Sequence, residues 1–173
     1  MDYLKLNDVE KKNFLKKFVF KDIVGKKISD IIIPDRHYCS RYVVACAKTI
    51  YNWKKEYTEI SGNAWNLRYN PNYKVVYSFK GGKKLDLETL RPGMFLLVYN
   101  KLSLYNGIKD KENNLIDYTH VILYVGKIDS KLYFMHMYDS YSELIDFEGL
   151  FSKTGKYFEN EFEIKEVLSY VGE

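Results

Sequence analysis

Cysteine and histidine are the side chains from which nucleophile–base pairs are built near neutral pH. This sequence has two cysteines and three histidines. Cys39 lies in "PDRHYCSRYVVACAKTIYNW", where a turn after Pro34 becomes a helix. The positive end of a helix and its unpaired N–H groups stabilise a thiolate, so Cys39 is a candidate nucleophile. Cys46 falls two turns further in, on the apolar side of the same helix, and serves as an inert internal control. Seven residues of helix separate the two sulfurs by about 10 Å along the axis, which forbids a disulfide between them. His120 opens the strand-like "HVILYVG", and His136 lies in the next such run, "YFMHMYDS". A short turn at "KIDSK" pairs these runs antiparallel and can bring the two histidines together on one face. The chemistry suggested is a triad in which Cys39 attacks, His120 takes its proton and His136 orients His120. His37 sits in the turn before Cys39 and reads as a surface or cleft residue. Taken singly, a free cysteine is more often a small buried hydrophobe, and a buried histidine is more often a satisfied core residue.

These residues need a scaffold to hold them. The chain has 173 residues, 46% hydrophobic and 29% charged, which suits one folded domain over 1–173. Apolar positions from Leu4 to Val19, set among lysines, predict an amphipathic helix within residues 3–24. Tyr42, Val43, Cys46, Ala47, Ile50 and Trp53 recur at three- and four-residue spacing, which predicts a helix from Cys39 to about Tyr57 with one buried face. The 17 tyrosines and 10 phenylalanines concentrate in alternating runs. Strands are predicted at 73–79, 94–100, 120–126, 131–138 and 162–171, separated by "GGKK", "LRPG", "GKIDSK" and "KTGK". Residues 103–118 form a long polar loop between two strands, a kind of segment that is often functional. The fold class is α+β, with N-terminal helices packed on a mostly antiparallel sheet of five to six strands.

Composition excludes several functions. A net charge of +4, spread along the chain, is too diffuse to carry nucleic-acid binding. The N-terminus "MDYLKLNDVEKKNFLKK" has no apolar signal region, and no run approaches the roughly 20 apolar residues of a membrane span. The expectation is therefore a chain made as a soluble cytoplasmic protein, with any release or export by another route. A zinc site built from His37, Cys39, His120 and His136 lacks the usual ligand spacings.

In order and spacing, "YCSRYVVACAKTIY", "LRPGMFLLVYN", "THVILYVG" and "YFMHMYDS" resemble the NlpC/P60 superfamily of papain-like cysteine peptidases, to which the CHAP amidases are related. The resemblance covers roughly residues 34–140, leaving 1–33 as an N-terminal helical extension. It implies a papain-like fold with Cys39 as nucleophile, His120 as general base and His136 as third member. By the same resemblance Tyr38, Ser40, Asn63, Trp65, Tyr118 and Thr119 would contact substrate, with "GNAW" (62–65) walling the cleft. It implies hydrolysis of an amide bond in a peptidoglycan peptide through a thioester, with no cofactor or metal, by a monomer. The chain departs from the family pattern at Met94, where aspartate is usual, and at Arg41 and Ile122, where glycine is common. The same triad would also serve an isopeptidase or an acyltransferase. A non-catalytic binding module on the same fold is the competing class.

Overall fold

The computed structural model describes residues 1–22, 25–28, 31–33, 39–53, 64–79, 84–139 and 141–171, with the backbone alone at 31–33. The N-terminal segment does not form one long helix. A 3-10 turn at Tyr3–Lys5 precedes α1 (Asp8–Leu15), and another at Lys16–Phe18 follows it. The start of α1 is set by a capping box: the Asn7 side chain accepts the Glu10 N–H, and Glu10 accepts the Asn7 N–H, each at 2.9 Å. Beyond it, Phe20 runs extended beside Ser142, its N–H donating to the Ser142 hydroxyl at 2.7 Å. A small hairpin, β1 (Lys26–Ile28) and β2 (Ile31–Ile33), occupies the stretch before Pro34.

Helix α2 (Cys39–Ile50) is shorter than its apolar pattern predicts, and it is buried on more than the one expected face. Tyr42, Val43, Cys46, Ala47 and Ile50 are buried as expected, and Val44 and Ala45 are buried as well. The β1–β2 pair and the 3-10 stretch Ala64–Tyr69 also lie against the helix. Leu15 and Phe18 join the same core, and the Tyr42 hydroxyl donates to the Phe18 carbonyl at 2.6 Å.

The rest of the chain builds a six-stranded antiparallel sheet from β3 (Tyr73–Ser78), β4 (Phe95–Tyr99), β5 (His120–Ile128), β6 (Lys131–Tyr138), β7 (Tyr141–Asp146) and β8 (Glu163–Tyr170). Its spatial order is β3-β8-β4-β5-β6-β7. A two-residue turn joins β5 to β6, with Asp129 and Ser130 both at positive φ, 50° and 65°. Strand β7 pairs antiparallel with β6, Tyr138 opposite Tyr141 and His136 opposite Glu143. A short helix, α3 (Phe147–Phe151), follows, capped by the Asp146 carboxylate on the Gly149 N–H at 2.9 Å. The long loop before β5 is ordered: the Asp110 carboxylate accepts the N–H groups of Glu112 and Asn114, and the Tyr69 hydroxyl donates to it.

Strand alternation sends side chains into two separate cores. Val121, Leu123, Met135 and Met137 pack with α2 and the N-terminal segment. Ile122, Tyr124 and Phe134 pack on the opposite face with Leu150, Tyr157 and Phe162. No helix among the described residues is long and apolar enough to cross a membrane.

Candidate active site

His120 and His136 are neighbours. The Nε2 of His120 and the Nδ1 of His136 share a hydrogen bond of 2.8 Å, and both rings are buried. They lie on the face away from α2, where His120 stacks on Phe162 at 5.3 Å and His136 meets the edge of Tyr157 at 5.1 Å. Burial, followed by the neighbouring His136 ring, holds the His120 pKa well below its ordinary value, so its imidazole is neutral. Burial lowers His136 too, against the pull of Glu143.

The network continues beyond the two rings. The Nε2 of His136 lies 3.1 Å from Oε1 of Glu143, which also accepts the Tyr157 hydroxyl at 2.7 Å. The other carboxylate oxygen accepts the Lys156 ammonium at 2.7 Å. Burial would raise the Glu143 carboxyl, but the hydrogen bonds from His136, Lys156 and Tyr157 outweigh it and hold the group at about 2. The pattern of the sequence did not single out Glu143, because no strand was predicted across 141–146. The available signal is the spacing: with Tyr138 paired to Tyr141, Glu143 falls directly opposite His136.

Cys39 begins α2 and packs, half-buried, against the core on the opposite face from the histidine rings. The registered pairing of β5 with β6 ends at Leu123 and Met135, so the first residues of β5 are unpaired on that side. The thiol comes to the backbone there. N–H groups of Val121, Ser40 and Cys39 itself favour its ionised form, but burial outweighs them and pushes the thiol up to about 11. Its resting form is a protonated thiol, in place of the activated thiolate that a helix start predicts. The sulfur thus reaches the strand one residue past His120, yet no hydrogen bond joins Cys39 to His120 among the described residues. The triad geometry read from the sequence is assembled in its histidine half and left open at the thiol. Alternation is the reason: His120 shares its face with Ile122, whereas Val121 faces α2. Cys46 is fully buried, with its thiol pushed further up, as its position in the helix predicts.

The remaining predicted site residues fall in three groups. His37, Tyr38 and Asn63 lie outside the described residues. Ser40 is fully buried, Thr119 half-buried, and neither hydroxyl has a hydrogen-bond partner among the described residues. Trp65 and Tyr118 are brought together in the wall of a cavity of about 560 Å³, with Arg68, Tyr69, Asp110 and Glu166. There Arg68 donates to the Tyr118 hydroxyl at 3.1 Å and pairs with Glu166 at 3.2 Å. Both Trp65 and Tyr118 belong to the core beneath α2, so this cavity lies on the thiol's side of the sheet. Ile122 is buried in the other core, and Arg41 is half-buried on α2. At the tight turn before β4, the Met94 sulfur accepts the Arg91 N–H at 3.3 Å, the kind of contact a carboxylate makes in such a turn. No group of three or more metal-ligating side chains is clustered among the described residues.

No protein-family model, no curated protein and no solved structure matches the chain.

Proposed function

We propose that the protein is a cysteine hydrolase that cleaves an amide bond, with Cys39 as nucleophile, His120 as general base and His136 as orienting residue. The observation that carries this reading is the 2.8 Å bond between the two imidazoles. It engages Nε2 of His120 and leaves Nδ1 without a hydrogen-bond partner among the described residues, on the residue that precedes Val121, where the thiol meets the backbone of β5. Because both thiol and imidazole are neutral at rest, the proton passes from Cys39 to His120 as the sulfur attacks the carbonyl carbon. Backbone N–H groups at the start of α2 would hold the tetrahedral oxyanion. The protonated imidazole then gives its proton to the leaving amine, and water releases the thioester. Closure of the gap between thiol and imidazole, which share no hydrogen bond at rest, belongs to substrate binding.

The substrate class rests on the resemblance to papain-like NlpC/P60 enzymes and on the order of elements, a cysteine-bearing helix followed by an antiparallel sheet. It points to a peptide of the cell wall. The deciding experiment is digestion of purified sacculi and of isopeptide-linked peptides, with products identified by mass spectrometry. New amine termini are expected from the wild type and from Cys46→Ala. Cys39→Ala should give none, and His120→Ala about a hundredfold less. Undiminished products from Cys39→Ala, or none from any peptide, sink the reading.

A second reading is a binding module without catalysis, favoured by the placement of Cys39 and His120 on opposite faces of the strand. It expects peptide binding, followed by tryptophan fluorescence, that is indifferent to Cys39→Ala and accompanied by no turnover.

A further inference from the structure

The chain Glu143–His136–His120 has a direction, because only one of its ends is chemically fixed. An ionised carboxylate can only accept hydrogen bonds. Glu143 accepts three, from His136, Tyr157 and Lys156, and the last two have no other role at that carboxylate than to keep it charged and still. His136 therefore carries its proton on Nε2. A neutral imidazole has one N–H, so Nδ1 of His136 holds a lone pair and must accept. Its partner at 2.8 Å, Nε2 of His120, must then donate. His120 is neutral as well, and its single proton is thereby spent on Nε2. Nδ1 is left as a bare lone pair.

We propose that Glu143 is a positioning residue that selects, through His136, the tautomer in which His120 Nδ1 is free of a proton. The assignment rests on the proposed role of His120 as base, since only a bare Nδ1 could take a proton from Cys39. With the opposite tautomer the same two rings would be equally well packed and hydrogen-bonded, but Nδ1 would present an N–H to the thiol and could not accept. The carboxylate acts two hydrogen bonds away from the nitrogen it controls. A glutamine in its place breaks the directionality, because its amide can turn either its oxygen or its N–H₂ toward His136. When the N–H₂ faces the ring, the proton order of both histidines reverses.

The test is ¹⁵N–¹H correlation of the imidazole nitrogens in histidine-labelled protein near pH 7, where three histidines give an assignable spectrum. In the wild type both His120 and His136 should carry their proton on Nε2. In Glu143→Gln the ratio of the two His120 tautomers should shift toward Nδ1–H by about tenfold or more, the loss of one charge-assisted hydrogen bond. Glu143→Asp and Lys156→Met keep an acceptor-only carboxylate and should retain the wild-type pattern. A wild-type His120 protonated on Nδ1 overturns the proposal without recourse to any variant, and so does a folded Glu143→Gln with unchanged tautomers. The spectrum is independent of turnover. Nε2 tautomers that shift in Glu143→Gln, found in a protein that cleaves nothing, would remove the hydrolase reading and leave Glu143 its role. Cleavage that needs Cys39 while the tautomers ignore residue 143 would do the reverse.

Discussion

The two faces of the six-stranded sheet are both closed to water, but with different materials. Under α2 the filling is mainly aliphatic and aromatic carbon with two thiols; the hydroxyls of Tyr42 and Ser142 donate to the Phe18 carbonyl, that of Tyr3 to the Val125 carbonyl, and a buried Glu166 pairs with Arg68 beside the cavity at Trp65 and Tyr118. The other face buries two imidazoles and most of a carboxylate among Phe162, Tyr138 and Tyr157. Such groups are tolerated because each hands its hydrogen bond to the next, and the last reaches Lys156, which is about half exposed. A core of carbon needs only volume. A core that holds linked imidazoles needs every link, and so it can store chemical information.

The most severe way to break the contrast is to remove carbon from both faces. Phe95 under α2 and Phe134 on the histidine side are each fully buried. Phe95→Ala and Phe134→Ala should each cost about 3–5 kcal/mol in urea unfolding. A much smaller loss for Phe134→Ala would mean that the histidine side is not a core. Acid should separate the faces next. The folded pKa of Glu143 is depressed to about 2, so its contribution is complete above the unfolded value of about 4.3 and is lost as pH falls from there toward 2. That loss should reach up to about 3 kcal/mol. Both histidines are likewise held below their ordinary value, so the decline starts below about pH 6.5, where the unfolded chain takes up protons first. In Glu143→Gln the part below pH 4.5 should flatten, as urea midpoints from pH 7 to 3 would reveal.

Finer cuts compare the thiols. Cys46→Ala should cost about 1 kcal/mol, the scale of a buried methylene, whereas Cys39→Ala at the half-buried helix start should change stability by about 0.5 kcal/mol or less. Equal costs would place Cys39 in the core. Least of all, Tyr42→Phe should cost under about 1 kcal/mol by thermal melting, because the Phe18 carbonyl retains the Ser142 hydroxyl.

Several elements could be read from the residues alone. The strand at 131–138 has the bounds that its alternation and flanking turns predict, and α2 begins at Cys39. The meeting of His120 and His136 follows from the period of two and the tight turn between their strands. Alternation says which residues share a face, but it is silent on which face a helix covers. That is decided by the whole set of cross-strand neighbours, and so the thiol came out on the other side of β5 from the imidazole. The N-terminal helix ends before its apolar pattern does, because the residues past Leu15 form a 3-10 turn and then, at Phe20, extended chain beside β7. β7 and Glu143 carry no such signal: "YSELID" is mixed in character, and its place as a strand comes from pairing with β6 more than from its own composition.

The sheet order has a consequence for how the molecule comes into being. Strands β4 to β7 are neighbours in space as in sequence, β5 to β7 through short connections and β4 across the long loop before β5, so they can pair as soon as they are made. β3, made before them, has a single partner, β8, which is the last strand in chain order and also lies against β4. During synthesis on a ribosome β3 must wait, unpaired, for the more than eighty residues between Ser78 and Glu163 to follow it. The candidate catalytic strands are therefore expected to assemble early, while the sheet's far edge remains open until the closing strand arrives.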